Sequence, residues 1–117
     1  MTGTLYLVST PIGNINDITL RAIDTLKNVD IILTEDTRVT FKLLKHHSVI
    51  AKSSLESFNE INEDKKASKI ISELRNGKKI ALVSDAGTPL ISDPGYKFIR
   101  YARDNNIKVE PLSLIHI

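Results

Sequence analysis

Short apolar segments alternate with helix-length stretches along the 117-residue chain, and this alternation limits the possible folds more than any other feature. Buried strands are predicted at residues 5–10, 31–34, 80–83 and 107–112, where short apolar runs end at turn-forming or polar residues. One more strand is expected within residues 49–58, although serines and two charged residues dilute its pattern. Strands separated by helical connections predict an α/β fold, with a five-stranded, mainly parallel sheet and helices on both faces.

Capping residues and apolar spacing predict the four helices. The expected helix starts are, in chain order, Asp17, Thr37, Asn62 and Asp93-Pro94. In the first helix, an apolar residue recurs every three or four positions: Ile18, Ala22, Leu26 and Val29. The third helix carries the clearest apolar stripe, formed by Ala67, Ile70, Ile71 and Leu74. It is predicted to stop at Asn76-Gly77, with a residue in the left-handed conformation.

The composition is that of an ordinary globular domain, with 41% apolar and 26% charged residues. The formal net charge of +2 is too small to identify a nucleic-acid binder, and the scattered lysines and arginines are interpreted as solvated surface. The absence of cysteine excludes disulfides and thiolate metal sites. His46-His47 has no third ligand at useful spacing, so no metal site is expected. No apolar run approaches the roughly 20 residues of a membrane span, and no signal peptide is recognised, so a cytoplasmic location is expected.

Three loops rich in polar or turn-forming residues follow predicted strands. They cover residues 10–14, 35–38 and 84–95. In parallel sheets with helices on both faces, ligands bind outside the carboxyl ends of the strands. We therefore expect these three loops to lie together at one edge of the sheet and to carry the functional residues.

The loop at 84–95, SDAGTPLISDPG, contains Ser-Asp-x-Gly twice. At the end of a strand, the Asp85 carboxylate is placed to accept hydrogen bonds from a ribose diol or an ammonium group, and Gly87 would let a ligand approach the backbone. The alternative is that Asp85 is only a turn residue. Asp93 is interpreted chiefly as a helix start. The loop lacks the spacing of a phosphate-binding loop.

The other two loops each allow a functional and a structural interpretation. Pro11 and Gly13 form a rigid turn that either presents backbone groups to a flat ligand or simply connects a strand to a helix. In the third loop, Arg38 could bind an anionic substrate such as an RNA phosphate, while Glu35 or Asp36 orients a substrate hydroxyl. The structural alternative is that Asp36 or Thr37 caps a helix and Arg38 pairs with a neighbour.

Together, the segments TPIGN (10–14), EDTR (35–38) and SDAGTPLISDPGY (84–96) closely resemble the tetrapyrrole methylase superfamily. Within it, they resemble the small-subunit ribosomal RNA cytidine 2′-O-methyltransferases. The resemblance runs from about residue 3 to Leu112. Tetrapyrrole and diphthamide methylases usually carry a Gly-Asp-Pro type of loop where this chain has Ser84-Asp85-Ala86, which favours the RNA branch.

The resemblance implies S-adenosylmethionine as methyl donor, bound between two α/β domains, and a homodimer acting on small-subunit ribosomal RNA. The residues that would line the cofactor pocket are Pro11, Gly13, Asp85, Ala86, Gly87 and Thr88. Arg38 and Asn14 would contact the RNA, and Glu35 or Asp36 would receive the proton of the ribose hydroxyl. Two rival functions are a tetrapyrrole-type small-molecule methylase and a non-catalytic fragment.

The end of the chain departs from this resemblance. Relatives continue the last strand into a Pro-Gly-Pro-Ser turn, whereas this chain continues from Pro111-Leu112 into the apolar sequence SLIHI. Residues 1–112 are expected to form the amino-terminal domain, and residues 113–117 a tail foreign to the family that arose from truncation or as a cloning artefact. Residues 112–117 are also what a DNA-library adapter would encode. The chain alone is therefore expected to fold marginally at best, to self-associate and to lack methyltransferase activity.

Overall fold

The computed structural model describes residues 2–10, 20–34, 36–46, 54–58, 63–85 and 95–112. The strands are β1 (Thr4–Thr10), β2 (Ile31–Thr34), β3 (Ser54–Ser57), β4 (Ile80–Asp85) and β5 (Lys108–Leu112). The helices are α1 (Leu20–Asn28), α2 (Thr37–His46), α3 (Glu63–Arg75) and α4 (Gly95–Asp104). Strands and helices alternate in the predicted order, and the third strand lies within the predicted range 49–58.

All five described strands form one sheet, in the order β3-β2-β4-β1-β5. Every neighbouring pair is parallel, which confirms the predicted fold class. The sheet was predicted to be mainly parallel, and the described strands are all parallel. The central register pairs Leu7 with Leu82 and Leu33 with Leu82 across the two sides of β4. The middle strand of the sheet is β4, whose residues come late in the chain.

The strand with the weakest sequence pattern, β3, lies at an edge of the sheet. Its only described neighbour is β2, and its sequence, Ser-Leu-Glu-Ser, is exposed or half-buried. An edge strand is covered on fewer sides than a central one, so polar residues are tolerated in it. This position explains why its apolar pattern was diluted.

Apolar side chains form one core on each face of the sheet. One core joins α1 and α2 to the sheet through Val8, Ala22, Leu26, Val29, Ile32, Leu43, Leu44, Ala81 and Val83. The other joins α3 and α4 to the opposite face, and its largest members are Leu5, Leu33, Phe58, Ile70, Leu74, Ile80 and Phe98. Phe58 and Phe98 meet edge to face, with ring centroids 5.0 Å apart.

The division of the helices follows from the strand order. The connections through α1 and α2 move along the sheet towards β3, whereas those through α3 and α4 move back towards β5. Crossovers between parallel strands are almost always right-handed, so reversing the direction places the helix on the other face. The connections that follow neighbouring strands therefore leave on alternate faces.

Two helices end in Schellman motifs. At the end of α3, Gly77 adopts φ 93°, and Lys78 N–H donates to the carbonyl of Glu73, which confirms the predicted left-handed stop. At the end of α4, Asn106 adopts φ 61°, and Ile107 N–H donates to the carbonyl of Ala102.

The start of β1 packs closely against the end of α3. The Gly3 N–H donates to the carbonyl of Leu74 at 2.6 Å. A Cβ atom built on Gly3 would lie 1.7 Å from the carbonyl oxygen of Lys78, which is far inside van der Waals contact. This position can be occupied only by glycine unless the backbone moves.

Candidate functional site

The carboxyl ends of β1, β4 and β2 lie side by side at one edge of the sheet. Asp85, the last residue of β4, pairs with Thr10, the last residue of β1. Thr34, the last residue of β2, pairs with Val83, two residues before the end of β4. The chain therefore leaves all three strands at the same edge, as expected for the strands that precede the three candidate loops.

This edge has the topology of a ligand-binding crevice. The connection after β1 leads to α1 on one face of the sheet, and the connection after β4 leads to α4 on the other. Where the connections after neighbouring strands diverge in this way, a crevice opens outside their carboxyl ends, and open α/β sheets bind ligands there. By this rule, the ends of β1 and β4, at Thr10 and Asp85, are a candidate position for such a crevice.

Most of the predicted cofactor and substrate residues lie outside the described part of the chain: Pro11, Gly13, Asn14, Glu35, Ala86, Gly87 and Thr88. Asp85 is described in its backbone position as the last residue of β4. Asp36 and Arg38 are described with their side chains. The roles predicted for these ten residues stay predictions.

Asp36 is the N-cap of α2. Its Oδ1 atom accepts a hydrogen bond from the Arg38 main-chain N–H at 3.0 Å, and its carbonyl accepts one from the Thr40 N–H at 3.3 Å. Side-chain caps of this kind satisfy amide groups that have no partner within the helix. Thr37 is the first residue of the helix, so of the two capping residues that the sequence allowed, Asp36 is the cap and Thr37 is not. Asp competes well for the cap position because its carboxylate also interacts favourably with the helix dipole.

The Arg38 guanidinium pairs with the same carboxylate. Its Nε lies 3.3 Å from Oδ1 of Asp36, and one terminal nitrogen lies 3.4 Å from Oδ2. This hydrogen bond, and then the charge of Asp36, raise the pKa of Arg38 above its ordinary value, so the group stays cationic. The Arg38 side chain is 88% exposed. An exposed ion pair contributes little to stability, so the guanidinium remains accessible to an anion.

A buried pair of hydroxyl groups connects the end of β2 to α2. The Oγ1 atoms of Thr34 and Thr40 lie 2.8 Å apart, and both residues are buried. Thr34 also donates weakly to the carbonyl of Asp36, at 3.4 Å. These contacts fix the first turn of α2 relative to the sheet edge, and thereby the positions of Asp36 and Arg38.

A groove of about 900 Å³ extends from this edge along the outer side of α2. It is lined by Asp36, Thr37, Arg38, Phe41, Lys42, Lys45 and Leu55. Leu55 belongs to the edge strand β3, so the groove runs between that strand and α2. Three of the lining side chains are cationic, and Phe41 exposes 60% of its surface.

Phe41, Lys42, Lys45 and Leu55 were not predicted from the sequence as functional residues. The basic residues were interpreted as scattered, solvated surface charge. The signal that could have found the groove is their spacing, because Arg38, Phe41, Lys42 and Lys45 follow one another at i, i+3, i+4 and i+7. Residues at these intervals share one side of a helix.

No group of three or more His, Asp or Glu side chains in the described ranges could hold a metal ion. His46 is exposed at the end of α2, and His47 lies outside the described residues. None of the described helices is long and apolar enough to cross a membrane.

The family model for Tetrapyrrole (Corrin/Porphyrin) Methylases matches residues 4–113. Among curated proteins, the chain is similar to Ribosomal RNA small subunit methyltransferase I of Buchnera aphidicola, with 54% identity over 95% of this chain and 38% of the relative. The protein of that name from Rickettsia prowazekii is 56% identical over 91% of this chain and 37% of the relative. The chain thus spans somewhat less than two fifths of the length of these relatives.

Solved structures share the fold. Uroporphyrin-III-C-methyltransferase from Thermus thermophilus superposes with a TM-score of 0.72 at 22% identity, over 96% of this chain and 47% of that chain. A structure of uroporphyrin-III C-methyltransferase from the same organism, complexed with S-adenosylhomocysteine, gives a TM-score of 0.69 at 17% identity, over 94% of this chain and 44% of that one. A cobalt precorrin-4 methyltransferase gives 0.75 at 16% identity, over 93% and 44%. At these identities the likeness concerns the architecture.

Proposed function

Because the chain belongs to the tetrapyrrole methylase family, we propose that it forms the amino-terminal domain of an S-adenosylmethionine-dependent methyltransferase acting on ribosomal RNA. The reaction is methylation of a cytidine ribose 2′-hydroxyl in the small subunit. The observation that carries the proposal is identity of about half the residues, along nearly the whole chain, to relatives named for small-subunit ribosomal RNA methylation. The activity is assigned to the full-length protein that contains this domain.

The cofactor position proposed is the crevice beside Thr10 and Asp85. Carboxylates accept hydrogen bonds from ribose diols and ammonium groups, and S-adenosylmethionine offers both, so the strand end that carries Asp85 fits this cofactor. Pro11, Gly13, Ala86, Gly87 and Thr88 follow the same two strand ends in sequence. When bound, the cofactor supplies an activated methyl group on a sulfonium. The domain contributes binding and orientation, which can lower a barrier by roughly 7–11 kcal/mol in favourable systems.

The substrate position proposed is the adjacent strand end, after β2. Arg38 presents an exposed cation suited to bidentate contact with a phosphate, and Asn14 is the second RNA-contacting residue proposed. Glu35 or Asp36 accepts the proton of the ribose hydroxyl. Asp36 already accepts hydrogen bonds from the Arg38 amide and guanidinium. A carboxylate has about four acceptor sites, so this engagement reduces its capacity without removing it.

Partners and location follow the same proposal. We expect a homodimer that contacts small-subunit ribosomal RNA in the cytoplasm. Size-exclusion chromatography with light scattering on the full-length protein measures whether it is a dimer.

Methylation of a tetrapyrrole is the second candidate function, and the shared fold with a uroporphyrin methyltransferase favours it. That likeness rests on 22% identity, against 54% for the ribosomal RNA relative. Substrate preference changes readily on a conserved fold, so we give the relatives of higher identity more weight.

Labelled methyl transfer tests the proposal. The full-length protein is incubated with S-adenosylmethionine carrying a labelled methyl group and either unmethylated small ribosomal subunits or uroporphyrinogen III. Label is expected in RNA only, at a cytidine whose 3′ linkage resists alkaline cleavage because its 2′-oxygen is blocked. Label in the tetrapyrrole and not in RNA would exclude the proposal in favour of the second candidate.

The contribution of this domain is tested by calorimetric titration of S-adenosylmethionine into the 117-residue chain and into the full-length protein. We expect weak or no binding by the chain alone, because the proposed cleft needs two walls. A tight complex with the isolated chain would show that one domain suffices to bind the cofactor.

A further inference from the structure

One side of α2 combines positive charge with an exposed aromatic ring. Arg38, Phe41, Lys42 and Lys45 lie on this side and line the groove against Leu55. The opposite side of the helix is buried in the core through Thr40, Leu43 and Leu44. The side of α2 that carries these four residues is therefore an outer surface, and the core fixes the orientation of the helix.

The exposure of Phe41 is unusual in this protein. Among the described residues, only Tyr101 is another large hydrophobic side chain with substantial exposure, at 41% against 60% for Phe41. An aromatic ring held on a rigid helix in a groove offers a flat face on which a nucleic-acid base can stack. Single exposed apolar residues are common, so the charge around the ring decides what it would bind.

Positive charge is concentrated around this ring. Its described lining residues include three cationic side chains and one carboxylate, a formal charge of +2 that equals the net charge of the whole 117-residue chain. Within the described ranges, Lys42 and Lys45 are exposed and form no ion pair. Covering the groove with an apolar protein segment would bury these ammonium groups without partners, which is costly. A polyanion with flat bases fits both features.

The groove is also continuous with the candidate site. It is lined by Asp36, which lies two residues after Thr34, the last residue of β2. At 1.5 Å per residue, the α-carbons of Arg38 and Lys45 are separated by about 10 Å along the helix, the length of about three stacked nucleotides.

We propose that the α2 groove binds the single-stranded segment of ribosomal RNA next to the methylated nucleotide. Phe41 stacks on one unpaired base, and Lys42 and Lys45 contact the phosphates that follow it. The inference rests on the proposed function for its RNA substrate, and it adds a specific surface and residues that act in binding rather than in methyl transfer.

The test uses the full-length protein and a single-stranded oligonucleotide carrying the small-subunit sequence around the methylated cytidine. Dissociation constants are measured against salt concentration for the wild type, Phe41→Ala, Phe41→Trp and the double variant Lys42→Ala/Lys45→Ala. The matched control is Lys65→Ala/Lys69→Ala, which removes two exposed lysines from α3 on the other face of the sheet. Methylation kinetics are measured on the same set.

For Phe41→Ala we expect roughly tenfold weaker RNA binding, with binding restored in Phe41→Trp, because stacking needs a ring but not a particular one. For Lys42→Ala/Lys45→Ala, the slope of log affinity against log salt should become shallower by about 1.4, which is two single-strand phosphate contacts at about 0.7 each. In both, KM for RNA rises while kcat at saturating RNA stays near that of the wild type.

Equal affinity and equal salt slope in the α2 variants and the α3 control would overturn the proposal. Phe41→Ala could instead bind RNA normally but dissociate into monomers or melt at a lower temperature. That result would show that protein covers the groove, and it would also overturn the proposal. If the wild type methylates RNA while the α2 variants keep its KM, only the groove is wrong. If the wild type neither binds nor methylates RNA, the proposed function fails as well.

Discussion

The hydroxyl oxygen of Thr34 lies 2.8 Å from that of Thr40, in the interior between β2 and α2. Thr34 is the residue at which β2 ends, and Thr40 lies one turn into the helix that follows. This hydrogen bond spans the turn that contains Asp36, the residue that caps α2. A local polar contact in the core therefore holds one wall of the candidate site.

Replacing Thr40 with valine should lower the free energy of unfolding by about 1–3 kcal/mol, because the buried Thr34 hydroxyl loses a partner without a change of side-chain shape. The double variant Thr34→Val/Thr40→Val should be less destabilised than the sum of the two single variants. Urea unfolding of all four proteins measures this coupling. Strictly additive losses would mean that the two hydroxyls do not interact.

Asp36 should reveal separate structural and chemical roles. Asp36→Ala is expected to cost about 1 kcal/mol of stability, since the Arg38 N–H loses its cap, whereas Asp36→Asn should retain most of it. For proton acceptance, we expect Glu35→Gln to reduce kcat more than Asp36→Asn does, since Arg38 already engages both oxygens of Asp36. A larger loss in Asp36→Asn would instead identify Asp36 as the proton acceptor.

Arg38→Ala should raise KM for RNA roughly tenfold, because one charged contact with the RNA is lost, and leave S-adenosylmethionine affinity nearly intact. The α2 cap should survive because it uses the main-chain N–H of Arg38. Arg38→Lys, which keeps the charge but not the planar fork, should be intermediate. Calorimetry with the cofactor provides the control, and a loss of cofactor binding would place Arg38 in the cofactor pocket or in the fold.

Asp85→Ala in the full-length protein should weaken S-adenosylmethionine binding by about 1–3 kcal/mol, because ligand donors would lose a charged acceptor. The expectation follows from the position of Asp85 beside Thr10 at the crevice. Isothermal calorimetry measures it, with Asp104→Ala, an exposed carboxylate at the end of α4, as the matched control. Equal affinity in the two variants would make Asp85 a turn residue only.

Gly3→Ala should destabilise the protein by at least about 1–3 kcal/mol, the usual cost of forcing extra atoms into a packed site. The methyl group would collide with the Lys78 carbonyl, and the Gly3 N–H bond to Leu74 would be lost when the backbone moves. Thermal unfolding of Gly3→Ala is compared with that of Thr2→Ala, since Thr2 is an exposed neighbour, and the difference isolates the effect of the collision at Gly3. Similar melting temperatures for the two variants would contradict the observed packing.

The fold class was predictable because each buried strand carries its own apolar run and each described helix its own stripe. The stop at Gly77 was predictable for the same local reason, since glycine tolerates positive φ. The stop at Asn106, with φ 61°, was not anticipated. The sequence at that point is Asn105-Asn106, and only the packing of Ile107 and Ala102 into one core determines which asparagine takes the left-handed conformation.

Features that depend on contacts between distant residues were not predictable. The position of β4 between β1 and β2 is set by pairings such as Leu5 with Ile80, which no local pattern contains. The choice of Asp36 over Thr37 as cap was open because both are good capping residues. The α2 groove was missed because it also needs Leu55, which comes from β3, a strand that follows the helix in sequence.

The strand order also determines when the candidate site can assemble during folding. β1 pairs with β4 and β5, and Leu5 must wait for Ile80, 75 positions later, before its first ladder partner exists. β2 can pair early with β3, but β4 joins that pair to β1. Contacts of such long range slow folding, because a large loop must close before any pairing compensates for the lost entropy. On a chain synthesised from its amino terminus, the edge that holds Thr10 and Thr34 together forms only when β4 inserts between two strands that until then have no contact with each other.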